Sequence, residues 1–259
     1  MLKFFRRIRQ RLLAESKFSK YLIYALGEIV LVVIGILIAL QINIWNERSK
    51  AKKSADQQLI QMDQSISDDL DLLNELNENV KNSLVSNQKL SAQIQQIQPF
   101  DSLTTSYLID HLFEWNFNTN TSAYDKLNQS GEFSLLPKSL QSDIIDYYNL
   151  LNRVKDREAI SNEFIKKDLE PYYFSQYSIY HRKGGNKHPI ISEFYKNDQR
   201  DPVALDVETV KNDHKMSTLI FARYFQMKSQ LELYKEAIEK AHQIQKSIQE
   251  YLPPEEMNE

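Results

Sequence analysis

The sequence predicts an all-α protein: an N-terminal transmembrane helix followed by an elongated antiparallel helical bundle with long first and last helices. Three observations carry this. Residues 21–44 read YLIYALGEIVLVVIGILIALQINI and are apolar without a break from Ile29 to Leu40. Two later stretches repeat apolar residues every three or four positions, the period of an amphipathic helix. The 259 residues include only 5 Gly, 7 Pro and no Cys. So few glycines argue against a doubly wound nucleotide-binding sheet, whose tight turns and phosphate loops need them. The lack of Cys excludes a disulfide framework, Cys-ligated zinc, iron–sulfur clusters and thiol catalysis. Mean hydropathy of −0.52 excludes a polytopic transporter and leaves room for one span.

The head, residues 1–20, holds seven bases (Lys3, Arg6, Arg7, Arg9, Arg11, Lys17 and Lys20) against Glu15, a net of +6 in a chain of net charge −3. Phe5, Ile8 and Leu12 recur among these bases at helical spacing. That pattern suits a basic amphipathic helix on anionic lipid, with Lys3, Arg6, Arg7, Arg9 and Arg11 meeting headgroups. Attachment to a membrane span favours lipid phosphate over nucleic acid as the partner.

The apolar segment at 21–44 is about 36 Å long as a helix, enough for a hydrocarbon core of about 30 Å, and the membrane helix is taken as 21–45. Tyr21, Tyr24 and Trp45 stand at its ends, where aromatic rings favour the interface. The run is too long for a signal peptide and lacks an Ala-x-Ala cleavage site, so a retained signal anchor is expected. Bases before the span put the N-terminus in the cytoplasm and residues 46–259 outside, in the periplasm of a Gram-negative cell. Three readings of Glu28 stand open: it snorkels or is held by Tyr24, it pairs across a helix interface, or it relays protons. Gly35 and Ala39 form a small-xxx-small pair, with Gly27 on a nearby face, which allows two membrane helices to approach closely. Gly27, Glu28, Gly35 and Ala39 are therefore the candidate self-association face.

In the extramembrane part, Leu59, Met62, Ile66, Leu70, Leu73, Leu76, Val80 and Leu84 define one apolar stripe, with Pro99 as the stop. Ile220, Tyr224, Met227, Leu231, Tyr234, Ile238 and Ala241, then Ile244, Ile248 and Leu252, define another, capped by Asp213 and stopped at Pro253-Pro254. The two are expected to pack antiparallel. Between them, Asp101 caps a short helix, the chain breaks at Asn116–Asn118, and Asn120 or Thr121 caps another helix. Gly131 turns the chain, and Pro137 opens a helix reaching to Leu169 before Pro171. The aromatic run Tyr172–Tyr180 reads as a strand, an edge segment or packed loop. HRKGGNKHP, from His181 to Pro189, reads as a loop.

KFFRRIRQRLL at Lys3–Leu13, the Gly27-Glu28 pair and the Gln41–Asn46 exit resemble the opening of an uncharacterised bacterial family of single-pass membrane proteins, a domain of unknown function. NTSAYDKLNQSGEFSLL at Asn120–Leu136 and IIDYYN at Ile144–Asn149 carry a second, weaker match. The resemblance implies an inner-membrane anchor and a mostly helical outer domain; it implies no catalytic residue.

The five histidines form no close ligand pair, and no nucleophile elbow, phosphate loop or calcium loop occurs. The carboxylate runs Asp68-Asp69-Asp71, Glu75 with Glu78, and Asp143 with Asp146 read as solvated helix faces. No cofactor is expected. Tyr124 and Leu127 read as core beside the Gly131 turn; the functional alternative is a pocket or partner patch of Asn118, Asn120, Tyr124, Ser130 and Gly131. The function expected is a membrane-anchored scaffold binding another copy or an unidentified membrane or periplasmic protein. The alternative is a periplasmic ligand-sensing bundle.

Overall fold

A computed structural model describes residues 18–177, 193–200 and 205–252. The basic residues Lys3, Arg6, Arg7, Arg9 and Arg11, the loop His181–Pro189 and the side chains of Tyr21 and Tyr24 lie outside that set. Among the described residues all regular structure is helical. The helices are α1 (Phe18–Ile94), α2 (Thr104–Asp110), α3 (Ser122–Gln129), α4 (Lys138–Phe164), α5 (Glu170–Tyr177), α6 (Val207–Lys211) and α7 (His214–Tyr251). A 3-10 turn occupies Glu132–Leu135, and a π-turn at Ile165–Leu169 joins α4 to α5.

The chain divides into two compact units, Met1–Asp56 and Gln57–Glu259. Over its described residues the first unit is α1 alone, and α1 is helical without interruption across the boundary. Every Leu, Ile and Val from Leu22 to Ile42 is 46–73% exposed. This helix is long and apolar enough to cross a membrane, with a window of mean hydropathy 2.6 and none of it buried.

In the second unit all eight predicted stripe residues of α1, Leu59 to Leu84, are buried. They pack against α7, and the two helices run antiparallel. The Asn87 amide donates to Ile220 O at one end, and the Gln245 amide to Ser67 Oγ at the other. α4 also runs antiparallel to α7, with Lys240 on Asp143 and Arg153 on Glu236. At one end of this unit, α2, α5 and α6 close the core: Leu90, Leu108, Ile165, Leu169, Tyr173, Val210 and Met216 form one buried cluster.

The buried edge of α7 lies one residue away from the predicted apolar seam at two of its positions, Tyr224 and Ile238, while Leu231 is buried as predicted. Arg223, Gln230 and Ala237 are buried beside Tyr224, Leu231 and Ile238, of which Tyr224 and Ile238 are only half-buried. Asp213 caps α7 as expected, accepting from Met216 N–H at 2.9 Å.

Pro99 does not end α1. The helix stops at Ile94, with Gln96 in the left-handed region at φ 60°. Ile97 N–H bonds to Ala92 O and Gln96 N–H to Gln93 O, the paired return bonds of a Schellman cap. Asp101 stands before the N-cap of α2, its side chain accepting from Leu103 N–H. Pro137 is the N-cap of α4 rather than its first residue.

The run at Tyr172 is neither strand nor loop over its described part: α5 is helical to Tyr177. Pro171 was expected to stop the chain because it lacks an N–H and crowds the carbonyl one turn back. The π-turn immediately before it widens the helix there, so the proline is accommodated near the start of a new α-segment.

A left-handed non-glycine residue at a helix end carries a steric cost that glycine does not. Gln96→Gly is expected to stabilise the second unit by about 0.5–1 kcal/mol. Thermal unfolding followed by circular dichroism checks this; an unchanged or lower midpoint would contradict it.

Candidate functional site

Between α2 and α3 the backbone from Phe113 to Thr121 has no regular structure. The backbone groups of the flanking helices are already used within their own turns, so a strap laid among them needs other partners. Buried side chains supply them. Arg223 Nη2 donates to Phe113 O at 3.0 Å. Asn162 Nδ2 donates to Trp115 O at 3.0 Å, and Trp115 N–H reaches Asn162 Oδ1 at 3.4 Å. Phe117 N–H donates to Glu158 Oε2 at 2.7 Å. Thr119 Oγ1 donates to Asp69 Oδ2 at 2.7 Å.

The strap is thus read at every second residue, through the backbone at Phe113, Trp115 and Phe117 and through the side chain at Thr119, a spacing that matches the period of extended chain. Glu158 and Asn162 are one turn apart on α4, about 6 Å along its axis. Two residues of extended chain advance about 6.6 Å. The two repeats nearly match, so consecutive rungs of α4 meet alternate residues of the strap.

A second layer holds the rungs. Tyr234 OH donates to Glu158 Oε1 at 2.5 Å, and Tyr147 OH to Asp69 Oδ2 at 2.8 Å. Arg223 Nη1 donates to Ser161 Oγ at 2.5 Å, and Ser161 Oγ to Gln230 Oε1 at 3.1 Å. His111 Nδ1 pairs with Tyr173 OH at 2.9 Å. Burial raises the carboxyls of Asp69 and Glu158 above their ordinary range, against the lowering effect of their hydrogen bonds. Burial, helped by the Arg223 charge, drops His111 to about 3, so it is neutral at pH 7. Burial lowers Arg223 to about 10, so it stays cationic. What this arrangement does is fix an extended backbone in one register.

A separate pair of contacts anchors α5. Tyr172 OH donates to Asp213 Oδ2 at 2.5 Å, and Tyr177 OH donates to the same oxygen. Desolvation would raise Asp213, but these hydroxyls and the cap amides outweigh it and hold the carboxyl low.

Of the predicted site residues, Asn118 and Asn120 lie on the 113–121 strap, and the others lie at separate places along the chain. Gly27, Gly35 and Ala39 are exposed, and a Cβ added at either glycine would meet nothing within 4 Å. Glu28 is half-buried, and Trp45 is exposed. In the 118–131 patch, Asn118 is exposed and Asn120 accepts from Ser122 N–H. Tyr124 stacks on Tyr148 at 4.2 Å between centroids and meets Phe133 edge-on, while Leu127 is buried. Ser130 Oγ donates to Leu127 O, and Gly131 takes φ 77°. These side chains build a turn and its packing. A cavity of about 340 Å³ opens between the end of α1 and the start of α7, lined among others by Asn87, Ser91, Ile97, Ile220 and Phe221. Phe221 and Ile97 of this lining are exposed, as are Phe225, one turn on from Phe221 along α7, and Val85 on α1.

Asp69 corrects the reading of its acidic run as a solvated face: it is buried while Asp68 and Asp71 are exposed. Its position between Ile66 and Leu73 was the available signal. Arg223 and Gln230 were missed because only apolar residues were counted along α7; their seven-residue spacing beside the seam is the trace they leave. Among the described residues no group of three or more His, Asp or Glu converges to hold a metal ion.

The fold and this site define an all-helical protein carrying one helix long and apolar enough to cross a membrane. The chain belongs to the family of unknown function DUF6090, whose model matches residues 28–183. No curated protein and no solved structure matches it.

Two outcomes follow from the rungs. Asn162→Ala strands both backbone groups of Trp115 and is expected to cost about 2 kcal/mol in thermal unfolding, while exposed Asn118→Ala costs little. Asp69→Asn keeps an oxygen that accepts from both Thr119 and Tyr147 and removes the buried charge. A raised carboxyl makes the folded state hold its proton more tightly, so stability is present below the unfolded value and lost as pH rises through the folded one. Asp69→Asn is therefore expected to gain on the unsubstituted protein at pH 8 and not at pH 4. Unfolding midpoints at the two pH values check this, and an equal difference at both would contradict it.

Proposed function

We propose that this protein is a single-pass, membrane-anchored helical scaffold of the bacterial inner membrane. In this reading the basic head is cytoplasmic, residues 21–45 cross the bilayer, and residues 46–259 stand in the periplasm. There the bundle binds a second copy of the chain or another membrane or periplasmic protein.

The observation that carries the reading is the exposed apolar surface from Leu22 to Ile42. An apolar helix with no side chains packed around it belongs in lipid or against another apolar helix, since soluble monomers rarely expose patches of this size. The orientation rests on the +6 head. The exposed Phe221, Phe225, Val85 and Ile97 support a partner-binding role for the bundle. A second reading, ligand sensing, is favoured by the cavity of about 340 Å³ beside those residues.

The chain has no Cys, so single cysteines report topology cleanly. Gln88→Cys is expected to react with a membrane-impermeant maleimide in cells with a permeabilised outer membrane, and Ser16→Cys only after lysis. The reverse pattern would overturn the orientation, and release by alkaline carbonate would overturn the anchor. Photoreactive residues at 35, 221 and 225 are expected to capture protein; capture from none of them would remove the scaffold reading.

A further inference from the structure

We propose that the first two turns of α1 beyond Trp45 bind the phosphates of anionic phospholipids in the leaflet where the helix leaves the membrane. This rests on the reading of residues 21–45 as a span. Arg48, Lys50, Lys52 and Lys53 follow that segment within eight residues of Trp45, on one unbroken helix. Glu47 is the single acid among residues 46–55, so their net charge is +3. All four basic residues are exposed. Among the described residues none of the four takes part in an ion pair. Glu47, the one carboxylate alongside, accepts from the Asn43 amide at 3.0 Å. The four charges are left for something outside the chain.

Their depth suits a headgroup layer. A helix rises about 1.5 Å per residue, so Arg48 lies about 4.5 Å and Lys53 about 12 Å beyond Trp45 along the axis. The polar layer on each face of a bilayer is about 5–8 Å thick. Side chains on a helix lean toward its N-terminus, here toward the bilayer, so the long stems of Lys52 and Lys53 reach back into that layer. Their angular spread separates lipid from protein as the partner. At about 100° per residue, Lys52, Lys53 and Lys50 stand about 40°, 140° and 200° around the axis from Arg48. Four bases over more than half the circumference form a belt. A docked protein would meet one side of the helix, whereas a leaflet surrounds it and offers each base its own phosphate. Bases beside a span are drawn to anionic lipid in this way. The head, at +6, remains the more basic flank, so the argument for orientation is unchanged.

The test reads Trp45, which stands exposed three residues before Arg48. The full chain is reconstituted in phosphatidylcholine vesicles holding a minor share of lipid brominated near the top of its acyl chains, either phosphatidylglycerol or phosphatidylcholine. Bromine quenches tryptophan only at short range, so lipid gathered by the head at the far end of the span goes unseen. The only other tryptophan is Trp115, and Trp45→Phe supplies its background. Brominated phosphatidylglycerol is expected to quench Trp45 about twofold more than brominated phosphatidylcholine. Arg48→Gln, Lys50→Gln, Lys52→Gln and Lys53→Gln combined in one chain are expected to abolish that excess. Equal quenching by the two lipids would overturn the proposal and leave the span standing. An excess that survives the fourfold substitution would also overturn it. So would an excess abolished by inorganic phosphate but not by sodium chloride of equal ionic strength, which would assign the bases to a free anion. Quenching by neither lipid would remove the span itself, and the belt's role with it.

Discussion

An irregular backbone lying among helices has no neighbouring strand to answer its N–H and C=O groups, and Arg223, Asn162 and Glu158 are placed where that backbone needs them, with Asp69 on the Thr119 hydroxyl beside them. Arg223, Asn162, Glu158 and Asp69 would each be costly in an apolar core. Each instead meets a group of the 113–119 strap. The near match between one helical turn and two extended residues makes the pairing repeat. It also sets register: a strap displaced by one residue would turn acceptors toward acceptors, Phe117 O toward Glu158 for example. Tyr147 and Tyr234, from α4 and α7, then lock the carboxylates and tie the strap to two long helices.

α1 carries two hydrophobic patterns in one element. From Leu22 to Ile42 it is apolar all round and exposed; from Leu59 to Leu90 it is apolar on one stripe, and that stripe is buried. The first pattern is long and apolar enough to cross a membrane, and the second suits one packed partner. The family match, residues 28–183, takes in the strap, Asp69, Glu158 and Asn162. Arg223, Gln230 and Tyr234 lie beyond it on α7, so the strap's surroundings are completed by chain outside the matched range.

The helices were largely legible because their cores follow simple periods. The α1 stripe was read residue for residue, and Asp213 was recognisable as a cap from its type and place. What stayed hidden was the tertiary use of polar side chains. Asp69 is one of three acids within four residues, and only its angular position on the helix separates it from Asp68 and Asp71. Arg223 and Gln230 stand one residue before the seam positions Tyr224 and Leu231, where an apolar count skips them. The candidate cluster at 118–131 was legible as packing and as a turn. Pro171 misled for a physical reason: its effect on a helix depends on the turn before it, and a π-turn leaves no sequence signature of its own.

That π-turn also has a bearing on angular phase. A helix that gains one residue within a turn rotates everything after it by about 100° relative to an uninterrupted α-helix. Here the buried residues Ser161, Ile165, Leu169, Tyr173 and Tyr177 recur at intervals of four, a spacing that would drift steadily around a regular helix. The widened turn cancels part of that drift. Tyr173 thereby faces His111, while Tyr172 and Tyr177 converge on the carboxylate that begins α7. The surplus residue acts as a vernier, aligning one end of the bundle with a helix whose sequence lies forty positions away.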